Sequence, residues 1–128
     1  MELLLDTHTF LWWLAGDDGL SAGAKAAIAD ESNDIFVSAA SMWEIATKHR
    51  IGKLSGVAAI AGNLVKTVTD QGFIGLPISL LHAQTAGRLP GPHRDPFDRM
   101  LVAQATLENF ILVSNELLFD GYGVQRLW

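Results

Sequence analysis

The chain has 128 residues, 49% of them hydrophobic, which is enough for one packed core but not for two. Nine Lys and Arg residues against fourteen Asp and Glu residues give a net charge of −5, which argues against a general nucleic-acid coat protein with a basic face. Cysteine is absent, which excludes disulfides and thiolate metal sites.

The N-terminal segment and the hydropathy of the chain predict its location. Residues 1–6 lack the basic region of a secretory signal, and no apolar run approaches the roughly 20 residues that span a membrane. Together with the missing cysteines, these features predict a soluble, cytoplasmic protein with no membrane segment. The high apolar content also predicts that another chain covers part of the surface.

Short apolar runs alternate with helical segments, without a repeat or a linker. Asp6 is placed to cap the first helix, Gly16 to end it, and Pro96 to begin a later one. The strand at 73–78 is the weakest because Gly75 and Pro77 interrupt it. In chain order, the pattern predicts a strand at 3–5, helices at 10–15 and 21–31, a strand at 35–37, helices at 38–50 and 57–71, a strand at 73–78, a helix at 79–87, a loop at 89–94, a helix at 96–107, a strand at 110–113, a helical turn at 115–119 and a strand at 124–127.

This alternation of elements defines the fold class. Buried strands separated by helices indicate a parallel sheet that is covered on both faces. We therefore predict one three-layer α/β/α domain over residues 1–128, with a short parallel central sheet. Right-handed crossovers bring the strand ends that lead into helices to one edge, which is where such folds bind ligands.

Acidic residues recur where predicted strands meet helices. Asp6 ends the first strand, Glu44 lies in the helix after the second, Asp95 and Asp98 begin the long C-terminal helix, and Glu116 follows the strand at 110–113. Glu44 lies in a largely apolar stretch, where an unpaired charge is costly. Carboxylates that converge without arginines repel one another unless a divalent cation lies between them. Hard oxygen ligands favour Mg²⁺ or Mn²⁺ over zinc.

These acids also have ordinary structural explanations. Asp6, Asp95 and Asp98 stand at helix N-termini, where capping and the helix dipole favour acids. Glu44 completes a capping-box pattern with Ser41. Taken one at a time, the structural explanation and the functional one are evenly balanced.

Two further alternatives concern Glu44 and Glu116. Glu44 can pair with Lys48, which is one helical turn further along. If Ser114 or Asn115 caps the last helical turn, Glu116 is only a solvated acid. Convergence of at least three acids at one sheet edge is the better explanation when all five are considered together.

The same residues carry a family resemblance. The segments LLLDTHTFLWWL (3–14), VSAASMWEIATKHRIGKL (37–54), HRDPFDRMLVAQA (93–105) and ILVSNELLFDGYGVQRLW (111–128) resemble the four signature blocks of PIN-domain proteins. The HRDPFDR block is similar to that of the VapC-like toxins of type II toxin–antitoxin systems. The resemblance implies a compact α/β/α nuclease that cleaves RNA with Mg²⁺ or Mn²⁺.

The resemblance also implies a role for each acid. Asp6, Glu44 and Asp98 match the first three acids of the family, and Asp95 matches an additional acid that is frequent in this branch. Glu116 stands where the family more often has aspartate, and its extra methylene lengthens its reach. All five are therefore predicted metal ligands, and all except Asp95 are predicted catalytic residues.

Other polar residues near these blocks have secondary predictions. We expect no histidine to act as general base, because His8, on a buried amphipathic helix, is predicted to pack or to serve as a hydrogen-bond partner. Asp120 is a weaker candidate ligand, one helical turn beyond Glu116. The residues with basic side chains form two groups: His93, Arg94 and Arg99, which can contact RNA phosphate, and Lys48, Arg50 and Lys53, which are predicted to form a solvated helix face.

Four consecutive bulky side chains, Phe10 to Trp13, cannot all face the core from one helix. Either one tryptophan is partly exposed, or an aromatic patch is covered by a second copy of the chain or by an antitoxin. The resemblance implies a homodimer whose groove binds an antitoxin peptide, and the negative net charge suits a basic partner residue.

Two other functions are alternatives to an RNA nuclease. A PIN-like module that binds RNA or protein without cutting is the main alternative, and the unusual Glu116 favours it. An aspartyl phosphatase needs a second aspartate two positions after Asp6, and His8 stands there instead.

Overall fold

The computed structural model describes residues 1–54 and 62–128. The elements are β1 (Glu2–Leu5), α1 (Thr7–Ala15), α2 (Ala22–Ala29), β2 (Asp34–Ser38), α3 (Ala39–Arg50), α4 (Leu64–Asp70), β3 (Ile74–Leu76), α5 (Leu80–Arg88), α6 (Pro96–Glu108), β4 (Ile111–Val113), a 3₁₀ helix (Leu117–Tyr122) and β5 (Arg126–Leu127). Their order is the predicted one. The first part of the predicted helix at 57–71 lies outside the described residues. Within 1–54 and 62–128, no helix is long and apolar enough to cross a membrane.

Several boundaries differ from the prediction by a few residues, and two of the differences have a clear local reason. The first helix begins at Thr7 instead of residue 10, because Asp6 caps it by accepting a hydrogen bond from the Thr9 N–H. The predicted turn at 115–119 is a 3₁₀ helix displaced by two residues at its start, because Glu116 takes the cap position. The weak strand is the short β3, which ends immediately before Pro77.

The described strands form one five-stranded sheet in the order β3-β2-β1-β4-β5, and all the pairings are parallel. β1 is central: Leu3 pairs with Ile35 on one side and with Ile111 on the other. The carboxyl ends of β1, β2 and β4 therefore lie at one edge. This confirms the predicted parallel sheet and the edge at which the acids were expected.

Helices cover both faces of the sheet. Because side chains alternate along a strand, Leu3 and Leu5 pack on one face with Phe10 and with apolar residues of α2 and α4. Leu4 packs on the other face with Leu101 of α6 and with the 3₁₀ helix. These leucines are fully buried, and each such side chain contributes roughly 1.5–3 kcal/mol through its transfer from water. The three-layer α/β/α prediction is confirmed.

Contacts within the chain partly cover the aromatic segment of α1. Phe10 is fully buried, whereas Trp12 and Trp13 are half-buried. The Trp12 ring lies 6.0 Å from that of Trp128, and the Trp13 indole N–H donates to Gln71 at 2.9 Å. The expectation of partial exposure is confirmed for both tryptophans of α1.

Candidate active site

A polar cleft of about 260 Å³ opens beside the carboxyl ends of β1 and β4. All five acids predicted from the sequence line it. The complete lining is Asp6, Thr7, His8, Glu44, Lys48, His93, Asp95, Asp98, Asn115 and Glu116. Segments that are far apart in sequence therefore contribute acidic side chains to a single site.

Asp6 combines a structural position with a place in the cleft. It follows β1, and its Oδ1 caps α1 by accepting from the Thr9 N–H at 2.8 Å. The Asp6 N–H donates to the carbonyl of Val113 in β4, which holds the residue at the sheet edge. Asp6 is 6% exposed, so a buried carboxylate faces the cleft from a rigid position.

Glu44 is 3% exposed and its charge is paired, in keeping with the high cost of an unpaired charge in its apolar surroundings. Its Oε1 accepts from the Thr7 hydroxyl at 2.5 Å, and its Oε2 pairs with Lys48 Nζ at 2.5 Å. The capping-box alternative is wrong, because Ser38 caps α3 and Ser41 therefore lies inside the helix. The Lys48 alternative is confirmed.

Lys48 was predicted to lie on a solvated helix face, and this prediction is wrong. Its side chain turns into the cleft and is 36% exposed. The hydrogen bond from Lys48 to Glu44 raises the pKa of the ammonium group, with burial opposing the shift and the charges of Glu44, Asp95 and Asp98 adding to it. The prediction is correct for Arg50 and Lys53, which are exposed.

Asp95 and Asp98 occupy the first turn of α6. Asp95 Oδ1 accepts from the N–H groups of Phe97 at 2.9 Å and Asp98 at 3.2 Å, so the capping explanation is confirmed for this residue. Pro96 stands at the first helical position, as predicted. Capping does not remove Asp95 from the cleft, because its side chain lines the cleft as well.

The ionisation of Asp98 is perturbed by its surroundings. Burial, followed by the charge of Asp95, raises its pKa from 3.8 to about 6, against the opposing effect of a hydrogen bond from His93. The bond joins His93 Nε2 and Asp98 Oδ2 at 2.8 Å. A carboxylate that is costly to ionise without a compensating positive charge is well suited to bind a cation.

Histidines are closer to the acids than the sequence indicated. His8 is exposed and lines the cleft, with its ring 6.0 Å from that of Trp12, so the prediction that it packs on a buried helix is wrong. His93 contacts Asp98 directly. In the sequence, the only signals for this were that His8 lies two residues after Asp6 and that His93 lies five residues before Asp98.

Glu116 is exposed and caps the 3₁₀ helix by accepting from the Leu118 N–H at 3.1 Å. The prediction that Ser114 or Asn115 provides this cap is therefore wrong. Asp120 pairs with Arg126 at 2.8 Å and is absent from the cleft lining, in keeping with its weaker candidacy.

Of the remaining basic candidates, neither arginine lines the cleft. Arg99 donates from Nη1 to the His93 carbonyl at 2.8 Å, so it fixes the loop before α6. Arg94 is exposed.

The donor set of the cleft fits a hard divalent cation. Among residues 1–54 and 62–128, no three His, Asp or Glu side chains converge closely enough to enclose an ion by themselves. Mg²⁺ retains several of its waters and is usually bound through one or two carboxylates, so it does not need a closed cage. An open cleft lined by carboxylates suits an ion that is bound partly through water.

Comparison with known proteins defines the class. Residues 3–123 match the PIN domain family, so the chain belongs to the PIN domain family, as the sequence blocks indicated.

The chain is similar to Ribonuclease VapC22 of Mycobacterium tuberculosis, with 29% identity over 115 residues that cover 89% of this chain and 86% of that protein. Its fold is similar to that of VapBC2 from Rickettsia felis bound to a promoter DNA fragment (TM-score 0.70, 15% identity, 98% of this chain and 97% of that one). It is also similar to VapC20 of Mycobacterium tuberculosis, described as a sarcin-ricin loop cleaving toxin (TM-score 0.63, 18% identity, 95% of each chain).

Proposed function

We propose that this protein is a Mg²⁺- or Mn²⁺-dependent endoribonuclease that acts as the toxin of a type II toxin–antitoxin pair. The observation that carries the proposal is the convergence of Asp6, Glu44, Asp95, Asp98 and Glu116 on one cleft of a PIN domain. The names of VapC22, a ribonuclease, and of VapC20, a sarcin-ricin loop cleaving toxin, support this choice of substrate.

In this proposal Asp6, Glu44 and Asp98 hold the ion, directly or through its waters, and Glu116 and Asp95 orient water or a weaker second ion. The bound ion supplies an activated water and stabilises the charge that develops on the phosphate. Asp6 contributes from the rigid end of β1, whereas Glu116 contributes from an exposed position. Lys48 is the cleft cation placed to contact an RNA phosphate.

The proposed partners are an antitoxin and a second copy of the chain. Three proteins of similar fold were solved as DNA-bound complexes: VapBC2 from Rickettsia felis on a promoter fragment, FitAB on the IR36 fragment, and VapBC from Salmonella typhimurium. An acidic cleft and a net charge of −5 suit an antitoxin that places a basic side chain at the site. Light scattering of the isolated chain tests the homodimer, and a strict monomer at all concentrations contradicts it.

The alternative function is a PIN-like module that binds RNA or protein without cleavage. Two observations favour it: Lys48 already neutralises Glu44, and Glu116 is used as a cap. Titration with Mn²⁺ separates the two functions, because the module needs no ion.

Asp6→Asn and Asp98→Asn test the proposal, with Asp70→Asn as a control at an exposed ion pair with Lys66. Asparagine keeps the cap at position 6, so the fold is retained. We expect both cleft variants, and EDTA, to abolish cleavage of RNA, measured by mapping RNA ends after incubation or expression. Glu116→Gln should reduce the rate less. Cleavage retained in both aspartate variants would contradict the proposed site.

A further inference from the structure

His93 lies in the loop that precedes α6, and both of its backbone polar groups are held by hydrogen bonds. The His93 N–H donates to the Tyr122 hydroxyl at 3.0 Å, and the His93 carbonyl accepts from Arg99 Nη1 at 2.8 Å. Tyr122 ends the 3₁₀ helix and Arg99 lies in α6, so two separate elements fix the position of this residue.

The imidazole of His93 is fixed as well. Its Nε2 lies 2.8 Å from Asp98 Oδ2, and its ring meets the fully buried ring of Phe119 edge-on, with centroids 6.1 Å apart. The side chain is 14% exposed. The ring therefore cannot turn away from Asp98 without losing both contacts.

Gly91 permits this arrangement. Its φ is +105°, and a Cβ at this position would lie 2.8–2.9 Å from the hydroxyl and ring carbons of Tyr122. A glycine is needed here for the tyrosine ring to lie against the loop. Gly91, Tyr122 and His93 thus form one connected support that ends at the carboxylate of Asp98.

We infer that His93 is a positioning residue for Asp98, and that Tyr122 acts on the same carboxylate through His93. An imidazole that is protonated on Nε2 donates to Oδ2 and leaves Oδ1 of Asp98 for an ion or its water. This inference rests on the proposed function in that Asp98 is taken as a metal ligand. Hydrogen-bond partners that orient a ligating carboxylate are worth roughly 10–100-fold in metal affinity or activity.

The test compares His93→Leu, which removes the donor, with His93→Gln, whose amide nitrogen can take the place of Nε2. His49→Leu is the control, since His49 is exposed at the end of α3. We expect His93→Leu to weaken Mn²⁺ binding, measured by calorimetry without RNA, by about 10-fold or more. His93→Gln should restore most of this loss, and the KM for RNA should stay unchanged.

Tyr122→Phe removes a single oxygen and should weaken Mn²⁺ binding less than His93→Leu does. Unchanged Mn²⁺ affinity in His93→Leu would overturn the inference. A raised KM with unchanged Mn²⁺ affinity would overturn it too, because His93 would then be a contact for RNA.

A readout without metal separates this inference from the proposed function. Long-range ¹H–¹⁵N spectra of the protein in EDTA, recorded where the His93 imidazole is neutral, should show its Nε2–H tautomer. The Nδ1–H tautomer would overturn the inference. If the wild type binds no Mn²⁺ but shows the Nε2–H tautomer, the proposed function fails while the contact between His93 and Asp98 stands.

Discussion

At the scale of single residues, the acids of the cleft differ in how the protein accommodates their charge. The Glu44 carboxylate is held by a lysine and a threonine hydroxyl, and Asp6 and Asp95 each accept from backbone N–H groups. Asp98 has a histidine partner, and its pKa is nevertheless raised to about 6. The surroundings of Asp98 thus oppose its ionisation when no cation is bound.

This raised pKa predicts a pH-dependent stability in EDTA. The folded pKa lies above the unfolded value, so the contribution of Asp98 is complete below about pH 4 and is lost as the pH rises through about 6. The loss should be on the order of 1–3 kcal/mol in the free energy of unfolding. Urea unfolding between pH 4 and 7.5 measures it.

Asp98→Asn should remove this part of the pH dependence and should be more stable than the wild type at pH 7 in EDTA. Asp70→Asn, at an exposed position, should keep the wild-type profile. An Asp98→Asn profile parallel to that of the wild type would contradict the assignment.

The ion pair of Glu44 and Lys48 yields a second prediction at this scale. Lys48→Met leaves a buried carboxylate without its cation, and the free energy of unfolding in EDTA should fall by roughly 1–3 kcal/mol. Mn²⁺ should recover part of the loss, because an ion can then neutralise Glu44. Chemical unfolding with and without Mn²⁺ measures both effects.

Lys66→Met is the matched control. It breaks another Lys–acid pair four residues apart, with Asp70, in which both side chains are more than half exposed. Lys66→Met should lower the free energy of unfolding by at most about 0.5 kcal/mol, and Mn²⁺ should not change this loss. If Lys48→Met and Lys66→Met lowered the free energy of unfolding equally, the burial of Glu44 would not contribute to the strength of its ion pair.

At the scale of elements, the first turn of α6 serves both the fold and the site. Its cap, Asp95, satisfies two backbone N–H groups, Pro96 needs no partner, and Asp98 stands in the same turn and lines the cleft. The residues that begin the helix therefore also place two carboxylates at the sheet edge. Because the cap and the first turn have a defined backbone geometry, the positions of these two carboxylates are well fixed.

Two substitutions at Asp95 separate these roles. Asparagine is a good N-cap without charge, so Asp95→Asn should keep the stability of the protein but weaken Mn²⁺ binding. Asp95→Ala loses the cap as well, and its free energy of unfolding should fall by about 1 kcal/mol. Equal Mn²⁺ affinity in Asp95→Asn and the wild type would show that Asp95 is only a cap.

At the scale of the whole molecule, the topology of the sheet assembles the cleft. β1 lies between β2 and β4, so the residue after β1, the helix after β2 and the turn after β4 meet at one edge. The cleft exists only when this order of strands is formed. A ligand that binds across the cleft should therefore stabilise the whole fold.

Mg²⁺ should therefore raise the melting temperature of the wild type, because an ion that binds only the folded state stabilises it by mass action. Differential scanning calorimetry with increasing Mg²⁺ measures the shift. Asp6→Asn should show little or no shift, whereas Asp70→Asn should behave as the wild type does. A shift of equal size in Asp6→Asn would point to ion binding elsewhere on the protein.

The order of the elements, the parallel sheet and the edge where the acids meet could be predicted from the sequence alone. These features follow from local signals: the apolar strands at 3–5 and 35–37, the caps at Asp6 and Asp95, and the acids placed just after strands. Parallel strands have their carboxyl ends at one edge whatever the details of packing. Element boundaries were less accurate where a cap was misassigned, as at Glu116.

The three-dimensional fold, in contrast, sets which partners the acids have. It turned Lys48 into the cleft, left His8 exposed, and brought His93 against Asp98 with Tyr122 behind it. The physical reason is that these contacts depend on helix phase, side-chain direction and the approach of residues distant in sequence. Caps and periodicity, which report on neighbours within a few positions, do not encode those properties.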